Sequence, residues 1–143
     1  MNKNNIIKIL LTLLALGVMI SLFLWFAKPV RAVTDRVEYK IGDALEITIQ
    51  NSLDKPICFS SCYPYLVEKR DKKGNWISYS YSACDDQDLP SNCMAAGAKK
   101  IFRLALDEAE NGLNRLKIPV CVDCGNQPFQ ADFTYYSNNF RVN

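Results

Sequence analysis

Between Lys8 and Lys28 the chain carries no charge: Ile9 to Ala27 reads ILLTLLALGVMISLFLWFA. As a helix rising about 1.5 Å per residue, such a run reaches roughly 28 Å, close to the ~30 Å hydrocarbon layer of a bilayer. A buried core helix is a poor alternative, given the length of the run and its lack of polar positions. Lys3 and Lys8 precede the run and Lys28 and Arg31 follow it, a narrow bias toward a cytoplasmic N-terminus. The tripeptide VRA before Val33 resembles a cleavage site. The apolar stretch nevertheless exceeds the ~7–15 residues of a cleaved leader and has basic residues on its far side. The expectation is an uncleaved, single-pass anchor over residues 1–31 at the cell membrane, with residues 32–143 exported as one domain. The anchor makes the membrane the first partner. No cysteine stands near the end of the run to take a lipid.

After Ala32 the pattern is that of β-structure. ALEITIQ (44–50) alternates Leu45, Ile47 and Ile49 with Glu46, Thr48 and Gln50, the period of a half-buried strand. VEYKI (37–41), FRLAL (102–106) and LKIPVCV (116–122) alternate in the same way. YLVEKR and WISYSY flank DKKGN, a hairpin turn by composition, and FTYY and NFRVN close the chain. LDEAEN before Gly112 reads as at most a short helical turn. About seven short strands at this spacing imply an all-β fold, a two-sheet antiparallel sandwich. Pro119 should loosen pairing within its strand, since proline lacks the ladder donor.

Export changes the meaning of the six cysteines, Cys58, Cys62, Cys84, Cys93, Cys121 and Cys124. If strands run alternately up and down, all six fall toward one end of the sandwich, opposite the 71–75 and 107–113 connections. CVDCG (121–125) could be a redox dithiol, half of a zinc site with CFSSC, or part of a disulfide framework. A redox cysteine usually begins a helix, where its pKa is lowered, and nothing after CVDC reads as one. Four thiolates could hold zinc without histidine, but an even number of cysteines in an oxidising compartment normally pairs. The expectation is three disulfides, with Cys84–Cys93 a plausible local closure and fifteen connectivities formally open. The remaining four cysteines could pair within their short motifs or across from Cys58 and Cys62 to Cys121 and Cys124.

The runs VEYKIGDALEITIQNSLDKPI, YLVEKRDKKGNWISY, AAGAKKIFRLAL, GLNRLKIPV and YYSNNFRV together resemble exported bacterial immunoglobulin-like domains. That fold is shared with a bacterial proteinase inhibitor family. The resemblance extends from Val33 to Val142 and implies an immunoglobulin-like sandwich that is generally non-catalytic. The six cysteines depart from its pattern.

Other constellations are weaker. Asp85, Asp86 and Asp88, with Asp123, could bind calcium but lack the spacing of a loop site. There is no histidine, and Ser60 and Ser61 have no base partner in the sequence. Lys69, Arg70, Lys72 and Lys73 are interrupted by Glu68 and Asp71, so they form a solvated hairpin and not a nucleic-acid face. Thirteen of the seventeen basic residues and all fifteen acidic ones lie from Ala32 onward, so the domain itself is slightly acidic. Trp76, Tyr79 and Tyr81 read as core aromatics before they read as a contact face. The sequence therefore implies a non-enzymatic binding or structural module with an envelope or protein partner and no cofactor. A proteinase inhibitor presenting the 84–93 loop and a zinc-binding envelope domain are the alternatives.

Overall fold

The computed structural model describes residues 10–19, 29–79, 84, 87–106 and 109–143. Residues 10–19 are helical and exposed. No described helix is long and apolar enough to cross a membrane. The rest of the expected 9–27 span lies outside the described residues, as does part of LDEAEN.

The other described residues build an all-β fold. Eleven strands occur in order: β1 (Val30–Thr34), β2 (Glu38–Tyr39), β3 (Ala44–Asn51), β4 (Ile57–Ser60), β5 (Leu66–Arg70), β6 (Trp76–Ser78), β7 (Pro90–Met94), β8 (Lys99–Ala105), β9 (Gly112–Val122), β10 (Phe133–Tyr136) and β11 (Phe140–Val142). They form a three-stranded sheet ordered β1-β3-β8 and an eight-stranded sheet built around β9. Asn114 pairs with both Lys69 and Phe140, and Val120 with both Phe59 and Phe133. Strands β4 and β5 therefore share one edge of β9, and β10 and β11 share the other. Pairing is antiparallel except between β11 and β2, which run parallel, a departure from the wholly antiparallel expectation. It arises because the chain crosses from the small sheet to the large one between β1 and β2.

The alternation builds the core. Leu45, Ile47 and Ile49 of β3 face Leu116, Ile118 and Val120 of β9, and all six are at most 4% exposed. Phe140 closes the far side against the Tyr39 ring, edge-on at 5.4 Å. Buried polar side chains are used as ties. Asn51 ends β3 and donates to the Lys55 and Ala95 carbonyls while accepting from Leu53 N–H. Asn114 donates to the Glu110 and Gly112 carbonyls and accepts from the Tyr79 hydroxyl. At the β1–β2 crossing, burial pushes the Asp35 carboxyl up. Hydrogen bonds from the Tyr39 hydroxyl, the Glu46 amide and Arg36 outweigh it and hold Asp35 below the ordinary carboxylate range. Burial and the Asp35 bond together raise Tyr39.

Pro119 sits within an unbroken β9. Leu116 and Val122 N–H, and the Leu116 and Val120 carbonyls, all bond on the β10 side. Alternation therefore turns the Pro119 nitrogen toward the β4/β5 edge. There the register skips from Lys117 to Val120, and residues 61–65 leave the sheet. The missing donor coincides with the missing partner.

Candidate functional site

The cysteine-bearing segments converge on the outer face of the large sheet. The register sets Cys58 of β4 directly opposite Cys121 of β9. Both point away from the core, yet each is only 4% exposed. Neither bonds the other. The disulfides are Cys58–Cys93, Cys62–Cys84 and Cys121–Cys124, and no cysteine is free. The expected Cys84–Cys93 closure is therefore corrected. A bulge between Ile57 and Phe59 in the β4–β7 ladder, with Asn92 at φ 49°, turns Cys93 onto β4. Cys84 instead ties to the crossover that leaves the sheet at Pro119. Three bridges leave no thiolate for the zinc reading. Far from them, Lys69 Nζ meets Glu110 Oε2 at 2.7 Å, so the 71–75 turn and residues 109–113 share the opposite end.

Within the braced end, Asp88 organises the crossover. Its carboxylate accepts from Ser60 Oγ at 2.7 and 2.8 Å, and from Ser61 Oγ and Cys62 N–H at 3.3 Å. Ser60 Oγ in turn accepts from the amides of Cys62 and Tyr63, and Ser61 Oγ accepts from Leu89 N–H. These bonds tie the crossover after β4 to the segment that leads into β7. Of the aspartates weighed for calcium, Asp85 and Asp86 lie outside the described residues, Asp88 is engaged with the serines, and Asp123 faces Lys55 at 3.8 Å. No group of three metal-ligating side chains occurs among the described residues.

This knot walls an open cleft of about 410 Å³ on the outer face, lined chiefly by Tyr63, Leu66, Tyr79, Pro119 and Phe129. Burial raises the Tyr79 hydroxyl, which also accepts from Glu110 N–H. Elsewhere on the same face lies a second feature that the sequence pattern did not reveal. Arg115 donates through Nε and Nη2 to Glu68 Oε2, both at 2.7 Å. Its guanidinium lies 4.2 Å from the Trp76 ring centroid and 3.9 Å from that of Tyr136. The Glu68 side chain is 7% exposed, and Ser78 Oγ donates to its other oxygen. A charge this buried needs such a partner set. Its sequence signal is the outward position of Arg115 between Leu113 and Lys117, which only the β5 register connects to Glu68. Trp76 thus belongs to the outer face, Tyr79 ties into the core through Asn114, and Tyr81 lies outside the described residues.

No protein-family model and no curated protein matches the chain. Among solved structures it is similar to a Pseudomonas fluorescens alkylpurine DNA glycosylase, AlkC, bound to DNA containing an abasic site analog. The TM-score is 0.38 at 13% identity, covering 82% of this chain and 31% of that one. A likeness of this degree carries no inference about chemistry or family.

Proposed function

We propose that the chain is a membrane-anchored, extracytoplasmic, immunoglobulin-like module that binds a protein or envelope partner and performs no catalysis. The β1-β3-β8 order, and β2 joining the last strand in parallel, support the immunoglobulin-like reading. The uncharged run before Lys28 supports the anchor. The observation that carries the binding role is the outer face of the large sheet. There a disulfide-braced cleft lies on the same face as a Trp76–Arg115–Tyr136 stack whose charges are internally satisfied. Aromatic and arginine side chains held rigid in this way are the usual anchors of protein interfaces. A second reading, a proteinase inhibitor, is favoured by the two bridges that hold Cys93 to β4 and Cys84 to the crossover at Cys62.

The test is parallel capture from native envelope material with the wild-type protein and with Phe129→Glu, which places a charge in the cleft. A partner retained by the first and lost by the second supports the reading, and equal capture would sink it. Stoichiometric inhibition in a panel of secreted proteases would favour the inhibitor instead.

A further inference from the structure

The small sheet ends at β8, and no strand pairs with its outer edge among the described residues. Phe102 and Leu104 point toward the core but stay half-exposed, whereas their register partners Ile47 and Leu45 are 2% and 0% exposed. Between the sheets at this edge runs an apolar crevice of about 180 Å³, with Phe59, Tyr65, Phe102, Leu104 and Ile118 in its walls. Its volume suits a single large apolar side chain. Phe59 and Phe102 meet edge-on across it at 5.5 Å. The strand itself is basic: Lys99, Lys100 and Arg103 stand along it. Of the three, only Arg103 has an ion-pair partner among the described residues, Glu46. Lys99 and Arg103 face outward, while Lys100 shares the core side with Phe102 and Leu104, its ammonium 5.0 Å from the Phe102 ring centroid. Free ladder groups, a partly buried apolar strip and an outward basic row therefore coincide on one edge.

We propose that β8 receives an extended segment of a partner protein as a fourth strand. The segment would alternate apolar with acidic residues. One apolar side chain fills the crevice over Phe102 and Leu104, and the carboxylates, on the opposite face, meet Lys99 and Arg103. Main-chain ladder bonds would supply affinity and the alternating side chains specificity, as in other cases of strand addition. A second copy of the chain is the wrong occupant. In the antiparallel self-pairing centred on Ile101, which keeps both core faces on one side, Lys99 of each copy stands opposite Arg103 of the other, and like charges directly opposite destabilise a ladder. This edge is distinct from the outer face of the large sheet and does not depend on that face being a binding site.

The probes are three synthetic twelve-residue peptides: alternating Val and Glu, alternating Val and Lys, and the Val–Glu sequence interrupted by a central proline. Binding to the full-length protein in detergent is read by fluorescence anisotropy, with hydrogen exchange locating the contact. The Val–Glu peptide should bind, protect amides of β8, and lose affinity in high salt. The lysine and proline versions should be weaker. Lys99→Glu, exposed on the outward face, should cost the Val–Glu peptide on the order of fivefold in affinity and favour the Val–Lys peptide. Equal binding of all three peptides, or protection confined to other strands, would overturn the proposal. So would a concentration-dependent dimer that protects β8, because it would identify a second copy as the occupant.

Discussion

The two edges of the three-stranded sheet are built from similar residues and end up in opposite states. At the β1 edge, the core-facing Val30, Ala32 and Thr34 are 2%, 5% and 7% exposed. At the β8 edge, Phe102 and Leu104 remain half-exposed. Hydrophobicity does not explain this, since β8 carries the larger apolar side chains. The chain path does. Beyond Thr34 the backbone passes directly to the large sheet. The Asn138 amide then fastens the crossing by accepting from Thr34 N–H and donating to Thr34 Oγ1, both at 2.8 Å. No comparable tie runs along the length of β8 among the described residues. A sandwich closes where the covalent chain laces its layers, and where it does not, apolar surface stays open to something else.

The comparison can be broken first at Phe140, on the laced side and 1% exposed. Phe140→Ala should cost about 3–5 kcal/mol in urea unfolding; a loss near that of an exposed site would mean this side is not closed. Replacing Cys58 and Cys93 together with alanine releases β7, which borders the open side, and should cost about 2–4 kcal/mol. Hydrogen exchange should show that loss concentrated in β7 and β4. Asn138→Ala leaves the Thr34 amide unpaired and should cost about 1–3 kcal/mol. Phe102→Ala, at the half-open edge, should cost only about 1 kcal/mol; equality with Phe140→Ala would erase the distinction between the edges. The smallest effect concerns acid. The Asp35 carboxyl is lowered in the fold, so its contribution is complete above the unfolded value of about 3.9 and fades as pH falls through the lower folded value. Asp35→Asn should flatten that acid limb and leave stability at higher pH without it. An unchanged acid limb would remove Asp35 from the crossing's support.

Sequence pattern locates the strands that have one wet face. β3 and β9 alternate in residue type as they alternate in burial, and the D-K-K-G-N turn holds because the Asp71 carboxylate accepts from the amides of Lys73 and Asn75. β4 is hidden for the opposite reason. All four of its residues are buried, with core on one side and disulfide-tied loops on the other, so it has no period to read. β7 begins at a proline and contains a bulge, either of which argues against a strand. β1 opens at Val30, almost continuous with the apolar run, and its alternation is masked by that neighbour. The cysteine pairing depends on these same strands. Without β4 and β7 as strands, Cys84 and Cys93 look like two ends of one loop; with them, Cys93 belongs to a strand beside β4, and Cys84 to a bridge with the crossover outside the sheet.

The parallel pairing of β11 with β2 has a consequence in time. Thr34 and Asn138 are 104 residues apart, and β2 finds its ladder partner only in the last strand. Contacts of such long separation form slowly, because loop closure must precede any gain from them. A chain still emerging from the ribosome can make the β8–β3 ladder and the β5–β6 hairpin, but it cannot bring β2 into its ladder. Until β11 is available, both β2 and the Thr34–Asn138 tie stay open, so this side of the sandwich closes after the β3–β8 ladder can form.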